Sequence, residues 1–156
     1  MFFLTSHKTS ESPPSSPARK KQPEIIKAIR LSNNSVSMLQ ILYQPLSLGL
    51  DTSKILWIDL SFNNLSTVDE EMANVIPNLT TLNLHANQIS RLKELKKFSA
   101  FKNLHALTLF GNPVEEHKHY RNFILYNCPT LTQFDLSPVI KSEIAQVRSF
   151  HIIFIL

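Results

Sequence analysis

Four segments of this 156-residue chain repeat one spacing, L-x-x-L-x-L-x-x-N-x-L, with other apolar side chains allowed at the leucine positions. They are Ile26/Ile29/Leu31/Asn34/Val36, Ile55/Ile58/Leu60/Asn63/Leu65, Leu79/Leu82/Leu84/Asn87/Ile89 and Leu104/Leu107/Leu109/Asn112/Val114. A fifth, Leu131/Phe134/Leu136, keeps the apolar positions but has Val139 where the asparagine falls. The third apolar positions recur at intervals of 29, 24, 25 and 27 residues. A unit this short cannot enclose its own apolar face, so successive units must stack and share one continuous core.

Each column of the pattern has a physical reason. In a short strand alternate residues point to opposite faces, so the L-x-L pair is directed inward and the intervening residues outward. The asparagine stands where the chain leaves the strand, and its side-chain amide can bond the exposed backbone of its own and adjacent coils. Asn34, Asn63, Asn87 and Asn112 are therefore expected to form a structural ladder. The missing rung at Val139 is read as the mark of an end coil, with no following coil to satisfy. Val68, Met72 and Val75/Ile76, then Leu92, Leu95, Phe98 and Phe101, are spaced for short helical turns on the opposite side. The spacing predicts an α/β, right-handed leucine-rich-repeat solenoid, with a curved parallel sheet of about five strands on its concave face.

Composition assigns the ends. Residues 1–30 hold six Lys/Arg against Glu11 and Glu24, so the formal charge of +4 resides there and the remaining 126 residues are neutral. Residues 1–24, rich in Pro, Ser and charge, read as a disordered basic tail. Ser12-Pro13 and Ser16-Pro17 fit proline-directed phosphorylation beside Arg19-Lys20-Lys21; an unmodified solubilising tail is the simpler reading. The repeat domain is placed at 25–141, with a cap from about 111 in which Tyr120, Phe123, Ile124 and Leu125 share helical spacing. Residues 142–156 are a divergent tail, whose end from Phe150 is apolar and β-prone and reads as a truncated or alternative terminus.

The same numbers exclude functions. Two glycines, Gly49 and Gly111, cannot build a phosphate-cradling loop. One cysteine, Cys128, forms neither an internal disulfide nor a thiolate zinc site, and is read as core in a reducing compartment. No run approaches the length of a membrane span. A neutral repeat domain argues against nucleic acid as the partner.

Outward strand positions make three columns: Ala28, Trp57, Thr81, Ala106, Gln133; Arg30, Asp59, Asn83, Thr108, Asp135; and Ser32, Ser61, His85, Phe110, Ser137. Trp57 and Phe110 are large aromatics on an otherwise polar face, with His85 between them in coil order and Phe62 at the rim. Aromatic side chains rimmed by polar groups are what a protein-binding surface presents. Trp57, Asp59, Asn83, His85, Thr108 and Phe110 are the candidate partner-binding residues; cover by a loop or the N-terminal tail is the competing reading. The columns allow one catalytic arrangement, Ser61 or Ser32 with His85 and Asp59, on an open sheet with no oxyanion donors or lid. His117 and His119 with Glu115 and Glu116 read as a solvated helix start rather than a metal site. No catalytic, cofactor or metal residue is expected.

Gly111-Asn-Pro113, Tyr120-Arg121 and Cys128-Pro-Thr-Leu-Thr-Gln-Phe-Asp135 resemble the C-terminal cap of the intracellular leucine-rich-repeat proteins, a family that includes U2 small nuclear ribonucleoprotein A′ and axonemal dynein light chain 1. Trp57-Ile-Asp-Leu-Ser-Phe-Asn63 and Leu107-Thr-Leu-Phe-Gly-Asn-Pro113 look like one small cytoplasmic member of that family. The likeness covers roughly residues 25–141. It implies a fold more than an activity. The expectation is a cytoplasmic, non-enzymatic adaptor, monomeric on its own, that binds a protein partner through the concave face. The alternative is a permanent structural subunit of a ribonucleoprotein or axonemal/cytoskeletal assembly.

Overall fold

A computed structural model describes residues 26–37 and 49–155 of the chain, with side chains as far as Ser149. The expected tail at 1–24 lies outside the described residues. Each repeat contributes one short strand: β1 Ala28–Arg30, β2 Trp57–Asp59, β3 Thr81–Asn83, β4 Ala106–Thr108 and β5 Gln133–Phe134. These five run parallel in chain order, and Ala28, Trp57, Thr81, Ala106 and Gln133 stand in one register. The solenoid and its sheet are those the spacing predicts.

Behind the sheet lies one core. Ile29, Ile58, Leu82, Leu107 and Phe134 fill it from the strand centres, and Leu31, Leu60, Leu84 and Leu109 from two residues further on. The return segments close it with Met72 of α1 (Met72–Val75), Leu95 of α2 (Leu92–Leu95) and Phe98 in the 3₁₀ turn Lys96–Ala100. Each fully buried aliphatic or aromatic side chain contributes about 1.5–3 kcal/mol of transfer free energy, so the repeated apolar positions dominate stability.

At the convex side the sequence pattern missed one member. Glu94 is buried beside Leu95; it accepts from the Val68 N–H at 3.3 Å and from Lys97 Nζ at 2.8 Å, and Lys97 also donates to Val68 O. The pair joins two return segments that have no strand ladder between them. Burial pushes the Glu94 carboxyl up, but Lys97, the Val68 N–H and Arg91 outweigh it and hold it below the ordinary glutamate value.

The asparagines stand where each coil turns. Asn63 donates to Leu60 O and Ser61 O in its own coil and to Leu31 O in the preceding one, and accepts from the Val36 N–H. Asn87 repeats this with Leu84 O, Leu60 O and the Leu65 N–H; Asn112 does so with Leu109 O, Leu84 O and the Ile89 N–H. Among the described residues Asn34, in the first coil, bonds Leu31 O and Ser32 O of its own coil. Asn63, Asn87 and Asn112 thus reach back, so a missing asparagine in the last coil is not explained by the lack of a following one. The residue before each rung is left-handed: Asn33 (φ 59°), Phe62 (φ 54°), Ala86 (φ 55°) and Gly111 (φ 69°).

In the fifth coil the pattern breaks earlier than its apolar residues suggest. Asp135 turns left-handed (φ 54°), and Ser137 and Pro138 return as an antiparallel strand, β6 (Ser137–Pro138), on β5. Asp135 and Leu136 are the two loop residues of a hairpin, which needs a positive φ at its first position. Leu136 is therefore 83% exposed rather than part of the core, and Ser137 does not continue the column of Phe110.

Helix α3 (Tyr120–Asn127) buries Tyr120, Ile124 and Leu125 over the end of the core. Glu115 and Glu116 lie in a separate 3₁₀ turn, Pro113–Glu116. A last helix, α4 (Lys141–Ile155), buries Val147 and packs on α3. Arg121 fixes its start, with Nε 2.8 Å from Glu143 Oε1 and Nη2 3.1 Å from Oε2. Glu143 in turn accepts from the Ile140 N–H. The β-prone composition of the final residues thus gives way to a helix begun by this anchor.

Candidate functional site

The concave face divides into two groups. In the first, Trp57 is half-buried beneath the Arg30 guanidinium, 5.5 Å from the ring centre. Asp59 is buried: it accepts from the Ser61 N–H at 3.0 Å and the Ser61 hydroxyl at 2.6 Å, and pairs with Arg30 Nε at 3.3 Å. Its carboxylate is spent on positioning Arg30 and the turn after β2, not offered outward.

The second group spans three coils. Thr108 donates its hydroxyl to Asn83 Oδ1 at 3.3 Å and lies 2.9 Å from His85 Nδ1. A hydroxyl already donating accepts from the imidazole, which places a proton on His85 Nδ1. The His85 ring stacks on Phe110, centroids 4.6 Å apart at 8°, and meets the Phe62 ring in a T-shaped contact at 5.3 Å and 86°. Phe62 itself is 58% exposed. Asn83, His85, Thr108 and Phe110 are thus brought together, with Phe62 as a fifth member. Trp57 stands apart, at the opposite end of the strands and two coils from Phe110.

Asp135 supports this group from behind. Its Oδ1 accepts from the Leu109 N–H at 2.6 Å and the Phe110 N–H at 3.0 Å, and its Oδ2 from the Tyr120 hydroxyl at 3.0 Å. Burial pushes its carboxyl above the ordinary aspartate value in spite of these bonds, and burial likewise raises the Tyr120 phenol. The backbone under Phe110 is held by a residue that sequence columns place merely on the open face. The signal available was Tyr120 fifteen residues upstream, in the cap string.

The one catalytic arrangement the columns allow is not assembled. Ser61 bonds Asp59 directly, while His85 turns to Thr108. Among the described residues no three His, Cys, Asp or Glu side chains converge as metal ligands, and Glu115 instead accepts from the Gly111 N–H. Cys128 is buried and its thiol is raised by that burial. No helix among the described residues is long and apolar enough to cross a membrane.

Stacked parallel strands, a turn column with asparagine rungs and return segments that bury apolar side chains against the sheet define a leucine-rich-repeat protein. The chain belongs to the leucine-rich-repeat family, whose sequence profile matches residues 24–152. Among individual proteins it is similar to Leucine-rich repeat-containing protein 51 of Rattus norvegicus, 41% identical over 76% of this chain and 62% of the rat protein. The Bos taurus protein of that name is 41% identical over 76% of this chain and 57% of its own length. The chain thus spans about three fifths of the curated relatives it matches. In fold it is similar to a chain of the Drosophila melanogaster SNF/U2A′ complex, with a TM-score of 0.67 at 20% identity, covering 79% of this chain and 80% of that one.

Proposed function

We propose that the chain is a cytoplasmic, non-enzymatic adaptor that holds a protein partner on its concave face, through Trp57, Asn83, His85, Thr108 and Phe110, with Asp59 acting indirectly by fixing Arg30. The observation that carries this reading is the ring stack of Phe62, His85 and Phe110. Three aromatic groups are held in fixed orientation on a face they do not help to fold, and rigid, partly exposed rings are the side chains that dominate protein-binding energetics. Asp135 and Thr108 hold the backbone and the imidazole in place before a partner arrives, which lowers the ordering cost of binding.

The test is affinity capture from cell extract with the full chain beside Trp57→Ala and Phe110→Asp, each checked by circular dichroism. A partner retained by both variants refutes a concave site. Loss with one alone tells which of the two groups carries it.

The alternative is a permanent structural subunit of a ribonucleoprotein or cytoskeletal assembly. The likeness of fold to a chain of the SNF/U2A′ complex favours it. A chain that purifies as a folded monomer supports the adaptor; one that is insoluble until co-expressed with its partner supports the subunit.

A further inference from the structure

Resting on the concave-face reading, we propose that the turn column beside that face is a docking strip for a basic peptide segment of a protein partner, with Phe62 as its anchor.

Phe62 occupies a backbone conformation that suits it poorly. The equivalent positions hold Asn33, Ala86 and Gly111, while a bulky aromatic at φ 54° is a strained choice. The ring contributes nothing to the core, being 58% exposed. Its packing partners are His85 and, through His85, Phe110, so the three rings form one row along successive coils. Strained backbone at an exposed residue that the fold does not use points to a surface role.

Immediately after Phe110 the chain enters an open cleft of about 400 Å³, whose lining includes Gln88, Gly111, Pro113, Glu115 and Glu116. The two glutamates are the only charged side chains in that lining, and Glu115 is held there by the Gly111 N–H at 2.6 Å. No Lys or Arg occurs between Lys54 and Arg91, or between Lys102 and Lys118. The cations of the middle coils, Arg91 to Lys102, belong to the convex return segment. Ring faces carry negative potential and attract cations, most strongly guanidinium. A row of aromatic rings leading into a carboxylate-lined cleft therefore complements an arginine- or lysine-bearing strand of chain.

The test is fluorescence anisotropy with the full chain and a fluorescein-labelled ten-residue peptide of alternating arginine and glycine, with a glutamate–glycine peptide as control. The basic peptide is expected to bind saturably, the control not at all. Affinity should drop at least about fivefold in Phe62→Asn and in Glu115→Gln/Glu116→Gln, and fall with added salt. Phe62→Asn copies the residue of the first coil and should leave the melting temperature unchanged or raised. Equal binding by wild type and both variants overturns the proposal, as does a fall in melting temperature of Phe62→Asn that accounts for its lost binding. Binding that appears only when residues 1–25 are deleted assigns the strip to this chain's own Arg19-Lys20-Lys21 and overturns a partner as its occupant. Capture of a protein lost with Phe110→Asp, together with no peptide binding, overturns the basic peptide while leaving the concave-face reading intact.

Discussion

The middle coils and the fifth coil solve the same problem with different side chains. Where a strand ends, the backbone of the coil before it presents both a carbonyl and an N–H that need partners. Asn63, Asn87 and Asn112 meet both, because an amide donates and accepts at once. The fifth coil uses Asp135, whose carboxylate only accepts, and it takes two N–H groups of the preceding coil together with the Tyr120 hydroxyl. An amide suits a repeat that continues; a carboxylate suits one that stops, since it ties the sheet to a capping helix instead of to another turn. The difference lies in hydrogen-bond chemistry as well as in apolar burial, since Leu136 is exposed where Leu60, Leu84 and Leu109 are buried.

The largest effect that would sharpen this contrast is expected from Asn87→Ala. It strands the buried Leu65 N–H and removes one of the two amide bonds to the Leu60 carbonyl, which Asn63 still holds, at a cost of about 3 kcal/mol in urea denaturation. Asn34→Ala, whose bonds among the described residues lie within its own coil, should cost about 1 kcal/mol. Equal losses would break the idea that reaching back gives a rung its strength.

Next comes Asp135→Ala, expected to cost about 2 kcal/mol by freeing two backbone N–H groups. This residue also has a pH signature. Its carboxyl is raised in the folded state, chiefly by burial, so its contribution is full below about pH 4 and is lost as pH rises through the raised value. Asp135→Asn should remove that downward slope from a plot of unfolding free energy against pH.

The smallest expected effect is at the outer edge of the cap. Glu143 is held below the ordinary glutamate value first by its hydrogen bond to Arg121. Its contribution is therefore present above about pH 4 to 5 and lost as pH falls through the lowered value, the opposite sign to Asp135. Glu143→Gln should cost about 1 kcal/mol at neutral pH and leave stability less sensitive to acid, read by thermal melts between pH 3 and pH 7. The same slope in wild type and variant would detach α4 from this ion pair.

Much of this fold is written in local order. Ile58, Leu60, Leu82, Leu84, Leu107 and Leu109 recur at intervals that only stacked strands can use, so core and register follow from spacing alone. The fifth coil resists such reading because Leu136 has the right residue type at the right interval. What displaces it is the left-handed turn at Asp135, held by groups some 25 residues away in sequence. The candidate site was legible column by column. Yet a column lists which residues share a face, not which side chains meet, so Trp57 and Phe110 are grouped on one face although Phe110 stacks on His85, which in turn meets Phe62. Phe62 could be placed at the rim from its position beside Asn63, but its strained backbone angle has no signature in residue type.

The antiparallel β6 has a consequence for how such a chain can change over generations. Repeat proteins lengthen by duplicating a unit, and a parallel sheet accepts the copy wherever an edge is open. Here the edge beyond β5 is already hydrogen-bonded to a strand running the other way. A duplicated coil appended after Leu131 would meet an occupied edge, whereas one inserted between existing coils would find partners on both sides. Growth at this end of the solenoid is thus confined to positions before β5, and the hairpin at Asp135 acts as the stop signal of that edge.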